Sequence, residues 1–269
     1  MLGAVVYTLE AEKAGWLPDF TGRVMHGVFF RMLQEYSPEL ATWIHEKMNL
    51  KPFTVAALDF KKYKNVRGKV FLNEGDRFQW RVTGLHETVL KVMTNIERGH
   101  IFQVNQIPMR VLHIVADGEK NPRSGFLDEE ELLEGVLRIS GFSRLRLAFH
   151  SPATFRVGTV DYPMPLPELV FNSLADKWQQ MNMPVSINKN QLKNIIEKVY
   201  IESWSGSTKS VYLTPKRGIN AFTGVFSYNL SAAAPEEQQL LLMLAQFGVF
   251  SGCGRMSAQG MGQIDIFVE

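Results

Sequence analysis

Apolar positions along the chain form short runs of strand length and longer runs at helical spacing, and the two kinds alternate in roughly the same order twice. Ala4 to Leu9 is apolar and partly β-branched, which predicts a buried strand. Leu17-Pro18-Asp19-Phe20-Thr21-Gly22 reads as a turn-rich connection, and Arg23 to Leu33 carries apolar residues at helical spacing. Pro52 to Leu58 and Val70-Phe71-Leu72 read as strands. Arg77 to Thr83 alternates polar and apolar throughout, after a turn at Asn73 to Asp76. His86 to Ile96 then has helical periodicity, and Ile101 to Val115 is strand-rich. With one short strand to spare, this is the order of a ferredoxin-like split β-α-β unit, spanning 1–115.

The segment 116–140 is mostly polar and turn-forming, with a short acidic helix near Asp128 to Leu133, and reads as a connector. A second unit, 141–269, opens with the alternating strand Arg144 to Phe149. It continues with a helix from Glu168 to Gln180, strands at Val199 to Trp204, Ser210 to Leu213 and Ala221 to Tyr228, and a helix beginning near Pro235. The predicted fold class is α+β: two tandem ferredoxin-like, RRM-like domains.

Composition narrows the functional classes. A length of 269 residues suffices for two domains with separate cores, and 45% hydrophobic with 21% charged residues is ordinary for a globular protein. The net charge is only +2, so any nucleic-acid contact rests on locally clustered Lys and Arg. The single cysteine, Cys253, excludes an intramolecular disulfide framework and a multi-cysteine zinc site. Histidines at 26, 45, 86, 100, 113 and 150 show no metal-binding spacing, so no metal and no cofactor is expected, and a metal-dependent hydrolase, whose ligands would have to converge from distant positions, is the least favoured alternative. Neither a secretory signal nor a membrane-length apolar run is read, which predicts a cytoplasmic protein with no membrane partner.

Three stretches carry candidate chemistry. His26 falls in the first turn or so of its helix, where free N–H groups attract phosphate and favour a neutral imidazole. The plainer reading is a partly buried histidine bonded to a backbone carbonyl. Arg23 and Arg31 flank it and could meet phosphate or form solvated ion pairs. Lys61-Lys62-Tyr63-Lys64-Asn65-Val66-Arg67-Gly68-Lys69 holds five basic residues in nine around one ring, as a phosphate-tracking loop or a solvated hairpin tip would. Finally, Gly252-Cys253-Gly254-Arg255-Met256-Ser257-Ala258-Gln259-Gly260-Met261-Gly262 sets two G-x-G pairs between a helix and a strand, where outward-facing N–H groups would suit phosphate.

That glycine pattern resembles the loop of the RAMP superfamily, the RNA-binding proteins of CRISPR systems. Together with Gly22 to Arg31, Lys51-Pro52-Phe53-Thr54-Val55, Ser151 to Arg156 and Phe222-Thr223-Gly224, in that order, it is similar to the sixth Cas family of repeat-processing endoribonucleases. The resemblance implies metal-independent cleavage of precursor CRISPR RNA within its repeats by a 2′-hydroxyl, leaving 2′,3′-cyclic phosphate and 5′-hydroxyl ends. It implies proton transfer by His26, as acid or base, with Arg23 and Arg31 contacting phosphate. It also implies RNA contacts from Gly252, Gly254, Arg255, Ser257, Gly260 and Gly262, and from Lys209, Lys216 and Arg217 near a C-terminal hairpin, beside the candidates Lys61, Lys62, Lys64 and Arg67 that the basic run offers by its composition. CRISPR repeat RNA is the expected partner, and other Cas proteins or a second copy in a homodimer are compatible with it. The competing expectations are a non-catalytic RAMP subunit and a globular interaction protein whose glycines only pack a helix on a sheet.

Overall fold

The computed structural model describes residues 1–47, 50–214 and 217–269; the side chains at 45, 47, 214 and 217 lie outside that description. The chain divides into two compact units, 1–126 with 258–260, and 127–257 with 261–269. Among the described residues no helix is long and apolar enough to cross a membrane.

The first unit runs β1 (Leu2–Ala11), β2 (Gly15–Pro18), α1 (Gly22–Tyr36), α2 (Pro38–Lys47), β3 (Phe53–Val55), β4 (Asn65–Val66), β5 (Lys69–Leu72), β6 (Arg77–Gly84), α3 (Glu87–Thr94), β7 (Ile101–Val104) and β8 (Ile107–Val115), with β9 (Gly125–Leu127) at its end. The main sheet has the order β3-β6-β1-β8-β7. β1 pairs antiparallel with β6 on one side and β8 on the other, and nearly all of its residues are buried rather than alternating. Tyr7 on β1 donates its hydroxyl to the Met93 carbonyl at 2.6 Å, satisfying the polar end of a buried ring. α3 is capped by His86, whose Nδ1 accepts from the Thr88 N–H at 3.2 Å. β2, β5 and β4 form a separate small sheet.

The second unit contains α4 (Glu129–Arg138), β10 (Arg144–Ala153), β11 (Phe155–Val157), β12 (Val160–Tyr162), α5 (Pro167–Gln180), α6 (Lys189–Ile196), β13 (Tyr200–Thr214), β14 (Arg217–Asn229), α7 (Pro235–Ser251), a 3-10 turn (Ser257–Gln259) shared with the first unit, and β15 (Ile264–Val268). Its sheet order is β13-β14-β10-β15. In both units the sequence β-α-β-β-α-β is arranged with its first strand between its third and fourth, so the chain is a tandem ferredoxin-like α+β protein.

The structure adds elements that the periodicity did not announce. Leu17 and Pro18 end a strand rather than a turn, a place proline accepts because β2 is an edge strand. α2 and α6 were not read at all, and the acidic start of α4 proves to be a full helix with an Asp128/Glu131 capping box.

Candidate active site

α1 begins against the 3-10 turn. Thr21 accepts the Leu58 N–H on its hydroxyl at 2.8 Å, and Gly22 follows with no room for a side chain: a Cβ there would lie 2.1 Å from the Gln259 carbonyl oxygen. One helical turn on, His26 stands with Nδ1 2.9 Å from the carbonyl oxygen of Ala258. Its ring stacks on Phe53 of β3 at 5.5 Å and on Phe30, one turn further along α1, at 5.9 Å. Gly260 closes the turn at φ +84°, and a Cβ on it would meet the Gly22 Cα at 2.6 Å.

A carbonyl oxygen can only accept, so the neutral imidazole must carry its proton on Nδ1, leaving the Nε2 lone pair available. Burial lowers the pKa of His26; the Ala258 hydrogen bond opposes this, and the charges of Lys51 and Arg23 add to the lowering. The balance favours a neutral imidazole with its basic nitrogen unoccupied by Ala258. His26 is thus the partly buried, carbonyl-bonded histidine of the plainer reading, and that bond leaves Nε2 unengaged by Ala258.

Arg23 lies on the face of α1 that carries His26, three residues before it. Arg31 does not join them. Five residues after His26 it points elsewhere, and its guanidinium donates to the Gln103 carbonyl at 2.9 Å. Lys51, absent from the sequence-derived site, is the cation whose field reaches His26 more strongly than that of Arg23. Its Nζ donates at 2.6 Å to Ile44 in the last turn of α2, and burial lowers its pKa. The available sequence signal was its position two residues before Phe53, in Lys51-Pro52-Phe53-Thr54-Val55.

The glycine loop is built differently from its sequence-based expectation. Gly252, Gly254, Gly260 and Gly262 are buried and all have positive φ. The N–H groups of Cys253, Gly254, Arg255, Gly262 and Gln263 donate to Gly262 O, Ser173 Oγ, Thr154 O, Pro152 O and Ser151 Oγ, so they do not face outward for a ligand. Lys177 of α5, itself buried, donates to Ser251 O at 3.1 Å, Gly252 O at 2.8 Å and Ser257 Oγ at 3.1 Å. Burial brings its pKa down to about 8. Arg255, partly exposed, is ion-paired with Asp161.

Two models of one family match the chain: the CRISPR Cas6 N-terminal domain over residues 8–116, and CRISPR-associated endoribonuclease Cas6 over 147–264. The chain belongs to the Cas6 family. No curated protein matches it. Among solved Cas6 structures, the product complex of Cas6 (TTHB231) is 27% identical with a TM-score of 0.77, over 99% of this chain and 100% of that one. Thermus thermophilus Cas6 (TTHB231) by itself gives a TM-score of 0.74 at 27% identity, over 99% of this chain and 98% of that one. The substrate mimic complex of Cas6 (TTHA0078) gives 0.72 at 25% identity, over 100% and 99%. "An RAMP protein binding different RNA substrates", 14% identical with a TM-score of 0.62, shares the fold.

In this member of the Cas6 family the other expected RNA contacts fall in separate places. Lys61, Lys62, Lys64 and Arg67 are exposed around the small sheet, with Lys61 3.6 Å from Asp59. Lys209 is exposed on β13. Lys216 and the side chain of Arg217 lie outside the described residues. His150 pairs with Asp265 at 2.6 Å, and His113 is exposed. Among the described residues no three His, Cys, Asp or Glu side chains gather as metal ligands.

Proposed function

We propose that this chain cleaves precursor CRISPR RNA within its repeats, without a metal, with His26 as the general base. Nε2 takes the proton of the 2′-hydroxyl, and the 2′-oxygen bonds to the adjacent phosphorus. The bond from phosphorus to the 5′-oxygen breaks, leaving a 2′,3′-cyclic phosphate and, once protonated, a 5′-hydroxyl. Arg23 and Lys51 supply positive charge against the phosphorane. Lys51 also protonates the leaving oxygen, a task for which a partly desolvated ammonium is better suited than an exposed one. The observation that carries this reading is the 2.9 Å contact between His26 Nδ1 and Ala258, which fixes the tautomer with Nε2 unprotonated. Solved Cas6 relatives in product and substrate mimic complexes support a repeat RNA as the ligand.

The test compares the unmodified protein with His26→Ala on cognate repeat RNA, with and without a 2′-deoxy nucleotide before the cut. The proposal expects His26→Ala to bind RNA with unchanged affinity and cut it at least about 100-fold more slowly. The deoxy RNA should bind and never be cut. Binding without cutting by the unmodified protein would make the chain a non-catalytic RNA-binding subunit.

A further inference from the structure

The cleavage chemistry leaves unused the outer face of the small β2-β5-β4 sheet. Register sets Trp16 opposite Phe71 and Pro18 opposite Lys69, and Val66 pairs with Lys69 from the other side. Strand alternation buries Leu17, Val70 and Leu72, leaving the opposite set outside. Trp16 is 48% and Phe71 42% exposed, and their rings meet edge to face at 5.2 Å. A cross-strand aromatic pair stabilises a narrow sheet by itself, so the pair alone identifies no ligand.

Its surroundings do. Lys61, Lys62, Lys64, Arg67 and Lys69 are exposed on β5 and on the segment leading into it. Protein-docking surfaces are depleted in lysine, whereas exposed rings among lysines and arginines are the composition of a single-strand platform. Tyr63, the ring the sequence offered for stacking, is packed against Phe60 at 5.8 Å and Phe78 at 5.6 Å. The exposed rings come instead from strands that the basic run merely borders.

The platform also lies close to the catalytic helix. The Asp19 N–H donates to the Gly68 carbonyl at 3.0 Å, and Asn65 donates to the Asp19 carboxylate at 2.7 Å, so the basic turn is held by the connection into α1. β2 ends at Pro18 and α1 starts at Gly22, a span of at most about 14 Å.

We propose that the Trp16–Phe71 face, with Lys69 and Arg67, is a second RNA-contact site that receives unpaired nucleotides flanking the cut, a base against the rings and its phosphates on the cations. This rests on the ribonuclease reading for the identity of its ligand.

The experiment measures the affinity of repeat RNA, made uncleavable by a 2′-deoxy nucleotide, in full length and with the 5′ or the 3′ flank removed. The proteins are the unmodified chain, Trp16→Ala, Trp16→Phe and Lys69→Gln. Removal of one flank should weaken binding to the unmodified protein. Trp16→Ala should lose about tenfold on the full-length RNA and nothing on the RNA lacking that flank. Trp16→Phe should recover most of the loss, and Lys69→Gln should make binding less salt-dependent. If Trp16→Ala binds every RNA as the unmodified protein does, and still cuts, the platform is overturned while the nuclease reading stands. If the unmodified protein neither binds nor cuts, both fall. If Trp16→Ala instead converts a dimer to a monomer with RNA affinity intact, the face joins two copies and the proposal is overturned.

Discussion

His26 reaches across 232 positions of sequence to place Nδ1 2.9 Å from the carbonyl oxygen of Ala258. The contact sets which ring nitrogen Ala258 leaves unengaged, and it links α1 to the glycine-bearing end of the chain. In the proposed reaction the loop contributes a backbone acceptor held in place, and its glycines are needed to hold it.

The pH dependence follows with a definite sign. His26 works as a base only when neutral, and burial with two nearby cations lowers its pKa below the ordinary histidine value of about 6.5. The cleavage rate should therefore rise with pH through a midpoint below that value and be level at neutrality, as read from single-turnover rates. The same shift bears on stability. Between the lowered folded value and about 6.5 the unfolded chain binds more protons, so this contribution is complete above about 6.5 and is lost as pH falls through the folded value.

Lys51→Met should move the acidic limb of that profile to higher pH, because removing a neighbouring positive charge restores proton affinity to His26. It should also slow cleavage at least about tenfold. A substrate with sulfur in place of the leaving 5′-oxygen needs no strong acid, and should recover much of the Lys51→Met loss. Lys51→Arg should retain the pH profile. An unchanged profile in Lys51→Met would reduce this lysine to a cap on α2.

Gly262→Ala should be strongly destabilising. A Cβ there would lie 2.0 Å from the Cys253 carbonyl oxygen, at φ +67°. Strain of this kind costs about 1–3 kcal/mol before any steric displacement is added. Gly135, in the interior of α4 with open space around it, should respond oppositely: Gly135→Ala should stabilise by about 0.5–1 kcal/mol. Thermal unfolding of the two variants gives the comparison.

Much of this was legible in the sequence. The alternation of Arg77 to Thr83 and the apolar run of Ala4 to Leu9 announce β6 and β1, since strand pairing and burial repeat along the chain. The motif around His26 points to the helix and the residue. Lys51 was not legible as a site residue, because nothing in Lys51-Pro52 says that α2, itself unread, ends where its carbonyl can hold the ammonium. The glycines were found for an incomplete reason: positive φ and close backbone approach select them, while the N–H groups of Gly252, Gly254 and Gly262 bond within the fold. Tyr63 illustrates the same limit, since spacing places a ring among lysines but cannot say that it packs against Phe60 and Phe78.

The most direct test of the central claim is the chemistry of the ends produced from cognate repeat RNA in excess EDTA. A metal-independent reaction with His26 as base predicts undiminished cutting, a 2′,3′-cyclic phosphate on the upstream product and a 5′-hydroxyl on the downstream one. Cutting abolished by EDTA and restored by a divalent cation, or products bearing a 5′-phosphate, would contradict it.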